Sequence, residues 1–256
     1  MARPNADKMS FLEHLEELRG RLIHSVLALI IGFAIAWVFH EQLFHFLTQP
    51  LRSAYPDTRF VFTGMSEALI LYMKMAFFVG IFIASPYILY QVWAFIAPGL
   101  YAHEKAYAIP FIVAGSGFFI GGAAFGHYFL FPITFRFLVA FGVGGGDMTF
   151  LPRVGEYFTF YSWFLLGLGA VFQLPVVIFV LSKIGLVTPG FLLRQFRWAV
   201  LIAFVVAAVI TPAPDMVTQT LLAVPMLGLY LLGVGVAFLF GKPRRAEKKA
   251  SVSVEV

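Results

Sequence analysis

Cysteine is absent from the 256-residue sequence, and charged residues make up only 12% of it. Without thiols the chain can form neither a disulfide framework nor a site that depends on thiolates. A soluble globular domain is about a quarter charged, so the composition excludes an ordinary soluble domain. Apolar residues dominate instead, because 61% of the residues are hydrophobic. The composition indicates an integral membrane protein.

The sequence also lacks the motifs of common enzymes and nucleotide-binding proteins. In HEQLFH the second histidine lies five residues after the first, so the zinc-protease spacing HExxH is missed by one residue. The glycine run GVGGGD is not followed by Gly-Lys-Ser/Thr and is therefore not a P-loop. We expect no catalytic residues, no metal site and no cofactor, and we predict that the protein is not an enzyme.

Apolar blocks predict the fold, since about 20 apolar residues in a helix cross a bilayer. The fold class is predicted to be all-α, a polytopic membrane protein with six transmembrane helices in a single domain over residues 1–240. Pro86 and Pro132 are the expected bends of the long second and third helices. Together with short helices five and six, these predict a cupped, concave bundle. The blocks lie near 22–40, 67–97, 107–140, 157–182, 198–212 and 216–239.

The distribution of basic residues predicts the orientation. With six spans, both termini share one side of the membrane, and 13 of the 18 lysines and arginines fall on that side. An excess of Lys and Arg marks the cytoplasmic face, so both termini are predicted to be cytoplasmic. The net charge of +5 then reflects topology, and no nucleic-acid partner is expected. Residues 241–256 are predicted to form a basic cytoplasmic tail that is disordered.

The stretch SFLEHLEELRGRLIHS precedes the first span. Ser10 and Glu13 fit a capping box, which predicts an amphipathic cytoplasmic helix over 10–21. Leu15, Leu18 and Leu22 repeat on one face of that helix. Glu17 and Arg21 are spaced as an i, i+4 ion pair on its flank. The pattern by itself favours an ordinary interfacial helix that leads into the membrane.

The stretch YQVWAFIAPGLYAHEKAY follows the second span on the same predicted side. Its aromatic residues fit an interfacial belt. Glu104 places a carboxylate just outside the hydrocarbon, where it could bind a guanidinium through a bidentate, charge-assisted pair. The alternative is a solvated loop acid that pairs with Lys105.

Together, HLEELRGRL and YQVWAFIAPGLYAHE resemble the TatC family, the receptor subunit of the twin-arginine protein translocase. The resemblance continues through TQPL, FQLP and TPAPDMVTQTLLAVP, from about residue 10 to residue 240. It implies a multi-pass protein of a prokaryotic cytoplasmic (inner) membrane that binds twin-arginine signal peptides of folded precursors. The implied partners are single-span subunits of the TatA/TatB type and further copies of the chain in a larger complex. The implied energy source is the proton-motive force.

The same resemblance implies site residues, position by position. Pro50 and Asp215 match functionally sensitive positions on the periplasmic side. Glu104 would be the main carboxylate for the signal arginines, and Glu17 would assist it. The implied signal-peptide-binding residues are Glu17, Leu18, Arg19, Phe95, His103 and Glu104.

Gln173, in FQLP, departs from the family pattern, because many relatives have a glutamate at this place. A buried amide without partners costs about 1–3 kcal/mol, so it should face protein or water. We expect either a packing amide that caps carbonyls freed by Pro175 or a polar site in the membrane that contacts a partner.

A secondary transporter or channel for a small solute is the alternative function. Such proteins often carry internal repeats and ionisable groups near the middle of the membrane. The two halves of this sequence show no convincing repeat, and Lys74 is the clearest charge inside a span. That lysine could also extend outward to the interface.

Overall fold

The computed structural model describes residues 11–56, 60–61, 64–96, 108–143, 151–211 and 215–240. These residues are almost entirely helical, and a single parallel bridge joins Val61 to Arg153. The elements are α1 (Phe11–Val38), α2 (His40–Ala54), α3 (Glu67–Ile96), α4 (Ala108–Phe125), a π-helical turn (Gly126–Leu130), α5 (Phe131–Val143), α6 (Val154–Val171), α7 (Leu174–Lys183), α8 (Pro189–Arg194), α9 (Phe196–Ile210) and α10 (Met216–Phe240).

Within these residues, 5 helical stretches are long and apolar enough to cross a membrane. They are His14–Val38, Glu67–Phe95, Ile109–Gly142, Val154–Lys183 and Met216–Phe240. A shorter apolar helix, α9, has 15 residues and is about 22 Å long. The all-α, polytopic membrane class is therefore confirmed. The count of six spans and the cytoplasmic side of the termini remain predictions, and so does the cupped bundle.

Helix lengths correct two expectations. The fifth predicted span is short, but the sixth is not: α10 has 25 residues. Pro225 lies inside α10 without ending it, because a helix can absorb one missing backbone donor. The amphipathic segment predicted over 10–21 is continuous with the first span, since α1 runs for 28 residues. Nothing between Ser10 and Val38 in the sequence breaks a helix apart from the tolerated Gly20 and Gly32.

Helix α2 was not among the predicted blocks. Its apolar residues are interrupted by polar ones, so it does not resemble a membrane span. It buries Leu47 and Leu51. The Tyr157 hydroxyl of α6 donates a hydrogen bond to the Leu47 carbonyl at 3.1 Å. This helix therefore packs through one face against the transmembrane helices.

The prolines inside the long spans are accommodated in two ways. Pro86 cannot donate to the carbonyl of Phe82, and the Ser85 hydroxyl donates to that carbonyl instead at 2.8 Å. Helix α3 is continuous through this position. Near Pro132 the third span changes to a π-helical turn, in which the Phe131 N–H bonds to Gly126. The hydrogen-bond pattern therefore changes where a bend was predicted, but only in the third span.

The chain divides into two compact units, residues 1–169 and 170–256. In the first unit, Phe131, Tyr161 and Phe164 are completely or almost completely buried. His127, in the π-helical turn, lies 2.6 Å from the Tyr161 hydroxyl through its Nδ1 atom. This unit therefore has an aromatic core with a hydrogen bond inside it.

The second unit has a core of its own, which α7, α8 and α10 form together. Ile178 of α7 and Val234 of α10 are buried in it. The Tyr230 hydroxyl of α10 donates to the Leu192 carbonyl of α8 at 2.8 Å. The short helix α8 is therefore held to α10 by a directed hydrogen bond as well as by apolar packing.

Helix α1 meets α3 through backbone contact between two glycines. A Cβ atom on Gly32 would lie 2.6 Å from the Gly80 carbonyl oxygen, and one on Gly80 would lie 2.7 Å from the Phe33 nitrogen. Both distances are shorter than van der Waals contact, and the obstacle in each case is rigid backbone. Small residues at such a crossing are what allows two membrane helices to approach this closely.

We predict that Gly80→Ala lowers stability by about 1–3 kcal/mol, the usual cost of overpacking. The added methyl group forces α1 away from α3. The matched control is Gly117→Ala on α4, where a Cβ atom would meet nothing within 4 Å. Thermal unfolding of both purified variants in the same detergent checks this. Equal unfolding temperatures for the two variants would show that the crossing tolerates a side chain.

Candidate functional site

The amino-terminal half of α1 presents His14, Glu17 and Arg21 to the end of α3. The spacing of these residues, three and then four, places them on one face of a helix. Arg21 donates from Nε and Nη2 to Glu17 Oε1, at 3.0 and 2.6 Å. Its Nη1 atom donates to Gln91 Oε1 of α3 at 3.3 Å. The predicted Glu17–Arg21 pair is confirmed, and it joins the two helices.

A ring contact one turn away strengthens the same junction. His14 stacks on Phe95, with ring centroids 4.4 Å apart and planes inclined by 24°. Gln91 and Phe95 are four residues apart on α3, so both contacts lie on one face of that helix. Phe95 is half-buried there. Glu17 and Phe95, two of the predicted site residues, are thus brought together by His14, Arg21 and Gln91.

The Glu17 carboxylate uses only one of its oxygens in this network. Oε1 accepts both bonds from Arg21, whereas Oε2 is buried and accepts no hydrogen bond within the described residues. An ionised carboxylate has about four acceptor positions. A buried oxygen without a donor costs free energy that a new donor would recover. Oε2 is therefore suited to accept an incoming N–H group, above all a cationic one.

The remaining predicted residues at this end lie apart from that network. Leu18 and Arg19 are exposed on α1. Leu15 and Leu22, on the same apolar face as Leu18, are also exposed. The predicted apolar face therefore does not pack on α3 and is open to lipid or to a ligand. His103 and Glu104 lie outside the described residues.

Three supporting residues were missed in the site prediction, namely His14, Arg21 and Gln91. The spacing of Glu17 and Arg21 predicted their pairing, but Arg21 was not assigned to the site. An amide near the end of an apolar span, as in YQVW, was the available signal for Gln91. The described residues bring together no group of three or more His, Asp or Glu side chains that could hold a metal ion.

Pro50 is buried within α2. Its carbonyl accepts a hydrogen bond from the Ser53 hydroxyl at 2.9 Å. Leu51, beside it, is completely buried. These contacts give Pro50 a packing role in the first unit, and its predicted functional role remains a prediction.

Gln173 lies at a turn that divides the fourth predicted span into α6 and α7. It is the residue before α7, and its side chain makes no capping hydrogen bond to that helix. The side chain is half-buried and has a partner in the structure. Pro175 falls in the first turn of α7, where a helix needs no backbone donor. The fourth span was predicted as one block over 157–182, and the structure divides it because the proline lies at the start of a new helix.

Asp215 caps the amino terminus of α10. Its Oδ1 atom accepts from the Thr218 N–H at 2.8 Å, and its Oδ2 atom accepts from the Thr218 hydroxyl. Desolvation by itself would raise the pKa of Asp215. The hydrogen bonds from the side chain and backbone of Thr218 and from the backbone of Val217 outweigh it and lower the pKa. Asp215 therefore has a structural role, whatever else it does.

Comparison with known proteins gives a consistent result. Residues 13–225 match the family model described as Sec-independent protein translocase protein (TatC). A protein of that description from Koribacter versatilis (strain Ellin345) is 40% identical over 252 residues, which span 96% of this chain and 92% of the relative. One from Aquifex aeolicus (strain VF5) is 37% identical over 242 residues, spanning 94% of this chain and 100% of the relative.

Solved structures give the same match. A crystal structure described as the twin arginine translocase receptor TatC has a TM-score of 0.78 and 37% identity, covering 89% of this chain and 99% of that one. A second, described as that receptor in DDM, has a TM-score of 0.80 and 37% identity, covering 90% of this chain and 100% of that one.

We predict that Asp215→Ala lowers stability by about 1 kcal/mol, the usual value of an N-cap, whereas Asp215→Asn changes it little. Folding lowers the pKa of this carboxyl, so its contribution is present above the unfolded pKa and is lost as the pH falls through the folded pKa. The Ala variant and the unmodified chain should therefore converge in acid. Thermal unfolding from neutral to acidic pH measures this. An Asn variant as unstable as Ala would contradict the capping role.

Proposed function

The chain belongs to the TatC family of Sec-independent protein translocase proteins, and from this we propose that it is the core receptor subunit of a twin-arginine translocase. Membership of this family makes the chain a multi-pass membrane protein of a bacterial translocase and not an enzyme. It also decides against the small-solute transporter that the sequence left open. The proposed ligands are the twin-arginine signal peptides of folded precursors, bound at the cytoplasmic face.

The proposed binding role rests on the hydrogen bonding of the two carboxylate oxygens of Glu17. Its buried Oε2 atom has no donor within the described residues, while Arg21 holds the other oxygen. The carboxylate is therefore already oriented, and an arriving guanidinium would gain a charge-assisted bond without first ordering this side chain. Arginine suits such a site because its planar group offers several donors, whereas lysine offers a single hydrated ammonium.

Two adjacent arginines need more than one acceptor. Glu17 lies beside the end of α3, near Phe95. Glu104 comes only nine residues after Phe95 in the sequence. We assign Glu104 as the main acceptor and Glu17 as the assisting one. The exposed leucines on α1, Leu15, Leu18 and Leu22, would then contact the apolar part of the signal peptide.

Orientation and partners complete the proposal. The excess of basic residues supports cytoplasmic termini in the inner membrane. Single-span TatA/TatB-type subunits and further copies of this chain would assemble with it, and the proton-motive force would drive export. The short helix α9, about 22 Å long, supports a locally thinned bilayer at which partners could gather.

We predict that Glu104→Gln, Glu104→Ala and Glu17→Gln each weaken binding of a twin-arginine peptide by about ten-fold or more. Each loses a charge-assisted hydrogen bond, which is worth about 1.5–3 kcal/mol. Photo-cross-linking of a labelled peptide to the full chain in membranes measures occupancy, and export of a folded reporter measures function.

The matched control for Glu17→Gln is Glu16→Gln, which neutralises an exposed neighbour on the same helix. A peptide with two lysines in place of the arginines controls for simple charge attraction. Unchanged binding in the Glu104 and Glu17 variants would remove both carboxylates from the site. Equal loss in the Glu16 variant would indicate a general charge effect.

Gln173 is proposed as a polar site within the membrane that contacts a partner. Its half-buried position between α6 and α7, at the start of a new helix, supports a contact that depends on polarity. The amide does not titrate, so proton exchange by this side chain cannot be part of the mechanism here.

We predict that Gln173→Leu abolishes or strongly reduces export, whereas Gln173→Glu preserves it, because both polar side chains can hydrogen-bond at that depth. Export of a folded reporter measures the effect, and the amount of each variant in the membrane controls for folding. Normal export by Gln173→Leu at a normal level would show that polarity at this position is dispensable.

A further inference from the structure

An open groove lies between α1, α3 and α6 in the first unit. It has a volume of about 520 Å³, and its walls include Phe33, Phe77, Trp163 and Leu166. A smaller cavity of about 350 Å³ continues toward the start of α3 and includes Glu67 and Arg153. Ile70 and Lys74 line both spaces. The two spaces therefore adjoin at these residues, and the smaller one is the more polar.

Lys74 is the charged side chain of the larger space. It lies seven residues after the start of α3, which is about 10 Å along the helix. The side chain is exposed, and the structure gives it no hydrogen bond or ion pair with any residue that it describes. A lysine inside a membrane span is costly unless it reaches the interface or meets an anion.

Several other polar groups along these walls have partners already. The Gly64 N–H donates to Glu67 Oε2 at 3.2 Å. The Thr159 hydroxyl donates to the Gly155 carbonyl at 2.7 Å, and the Ser162 hydroxyl donates to the Thr159 carbonyl at 3.1 Å. Arg153 Nη1 donates to Glu156 Oε1 at 3.0 Å. Among the described residues of these walls, Lys74 is therefore the cation available to an anionic ligand, and most of the larger space is apolar.

We propose that this groove binds an anionic phospholipid, with its phosphate at Lys74 and one acyl chain between α3 and α6. The positive charge of Lys74 matches the phosphate, and the apolar and aromatic walls match the acyl chain. A transmembrane helix about 10 Å across and 30 Å long occupies roughly 2,000 Å³. The groove, at about 520 Å³, is much smaller and has a single cation among the described residues of its wall, which favours one narrow acyl chain with an anionic headgroup. This site is independent of the signal-peptide site, which lies at the other end of α3.

Trp163 provides a probe inside the groove, since its side chain is 70% exposed there. The full chain is reconstituted with phosphatidylglycerol or phosphatidylcholine carrying the same brominated acyl chains, which quench nearby tryptophans. Subtracting the quenching of Trp163→Phe isolates the signal from the groove. We expect phosphatidylglycerol to bind about five-fold more tightly than phosphatidylcholine, the usual effect of one basic residue at an anionic lipid.

Lys74→Gln should abolish that preference, and Lys74→Arg should retain it. Arg136→Gln is the matched control, because Arg136 is an exposed basic residue on α5 that does not line the groove. Equal affinities for the two lipids, or an unchanged preference in Lys74→Gln, would overturn the proposal. An uncharged single-span peptide that displaces both lipids equally from Trp163 would overturn it in favour of a helix as the occupant.

Discussion

The backbone contact between Gly32 and Gly80 is the constraint on which the first unit depends. Helix α1 is exposed along most of its length, since only 11% of the residues in its 18-residue apolar stretch are buried. Its packing on α3 therefore sets its register. Toward the amino terminus, that register places Arg21 beside Gln91 and His14 against Phe95. In the other direction it places Phe33 in the wall of the groove. A shift by one helical turn, about 5.4 Å, would separate these pairs.

Hydrogen bonding within the helices decides which polar groups remain for ligands. Lipid offers no partners, so several short hydroxyl side chains donate to carbonyls of their own helices. Ser25 donates to Arg21, Thr48 to Phe44, Ser85 to Phe82 and Thr159 to Gly155. Glu17 Oε2 is a buried charged atom that accepts no hydrogen bond within the described residues. Lys74 is an exposed cation inside a membrane span. Both proposals for ligand binding start from these two groups.

Part of the candidate site was predictable because it depends on local spacing. The i, i+4 arrangement of Glu17 and Arg21 required only that the segment be helical, and α1 confirms it. The link from Arg21 to Gln91 spans 70 positions and could not be inferred from spacing. The exposure of Leu15, Leu18 and Leu22 was also unpredictable, since an apolar helical face is equally able to pack on protein or to meet lipid. The N-cap formed by Asp215 is also local and could have been predicted from spacing. From the sequence, this residue was considered only as a functional position implied by the resemblance.

By itself, the sequence determined the class of the protein and the approximate positions of its long helices, because bilayer thickness imposes runs of apolar residues of matching length. Its motifs also determined the family. Only the tertiary structure decided that α2 is a helix packed by one face, that the fourth span is divided beside Gln173, and that α1 and α3 touch at two glycines. These features depend on contacts between residues far apart in the chain, and neither hydrophobicity nor periodicity encodes such pairs. Among the described residues, the same contacts leave one oxygen of Glu17 without a donor and place Lys74 in the wall of an apolar groove.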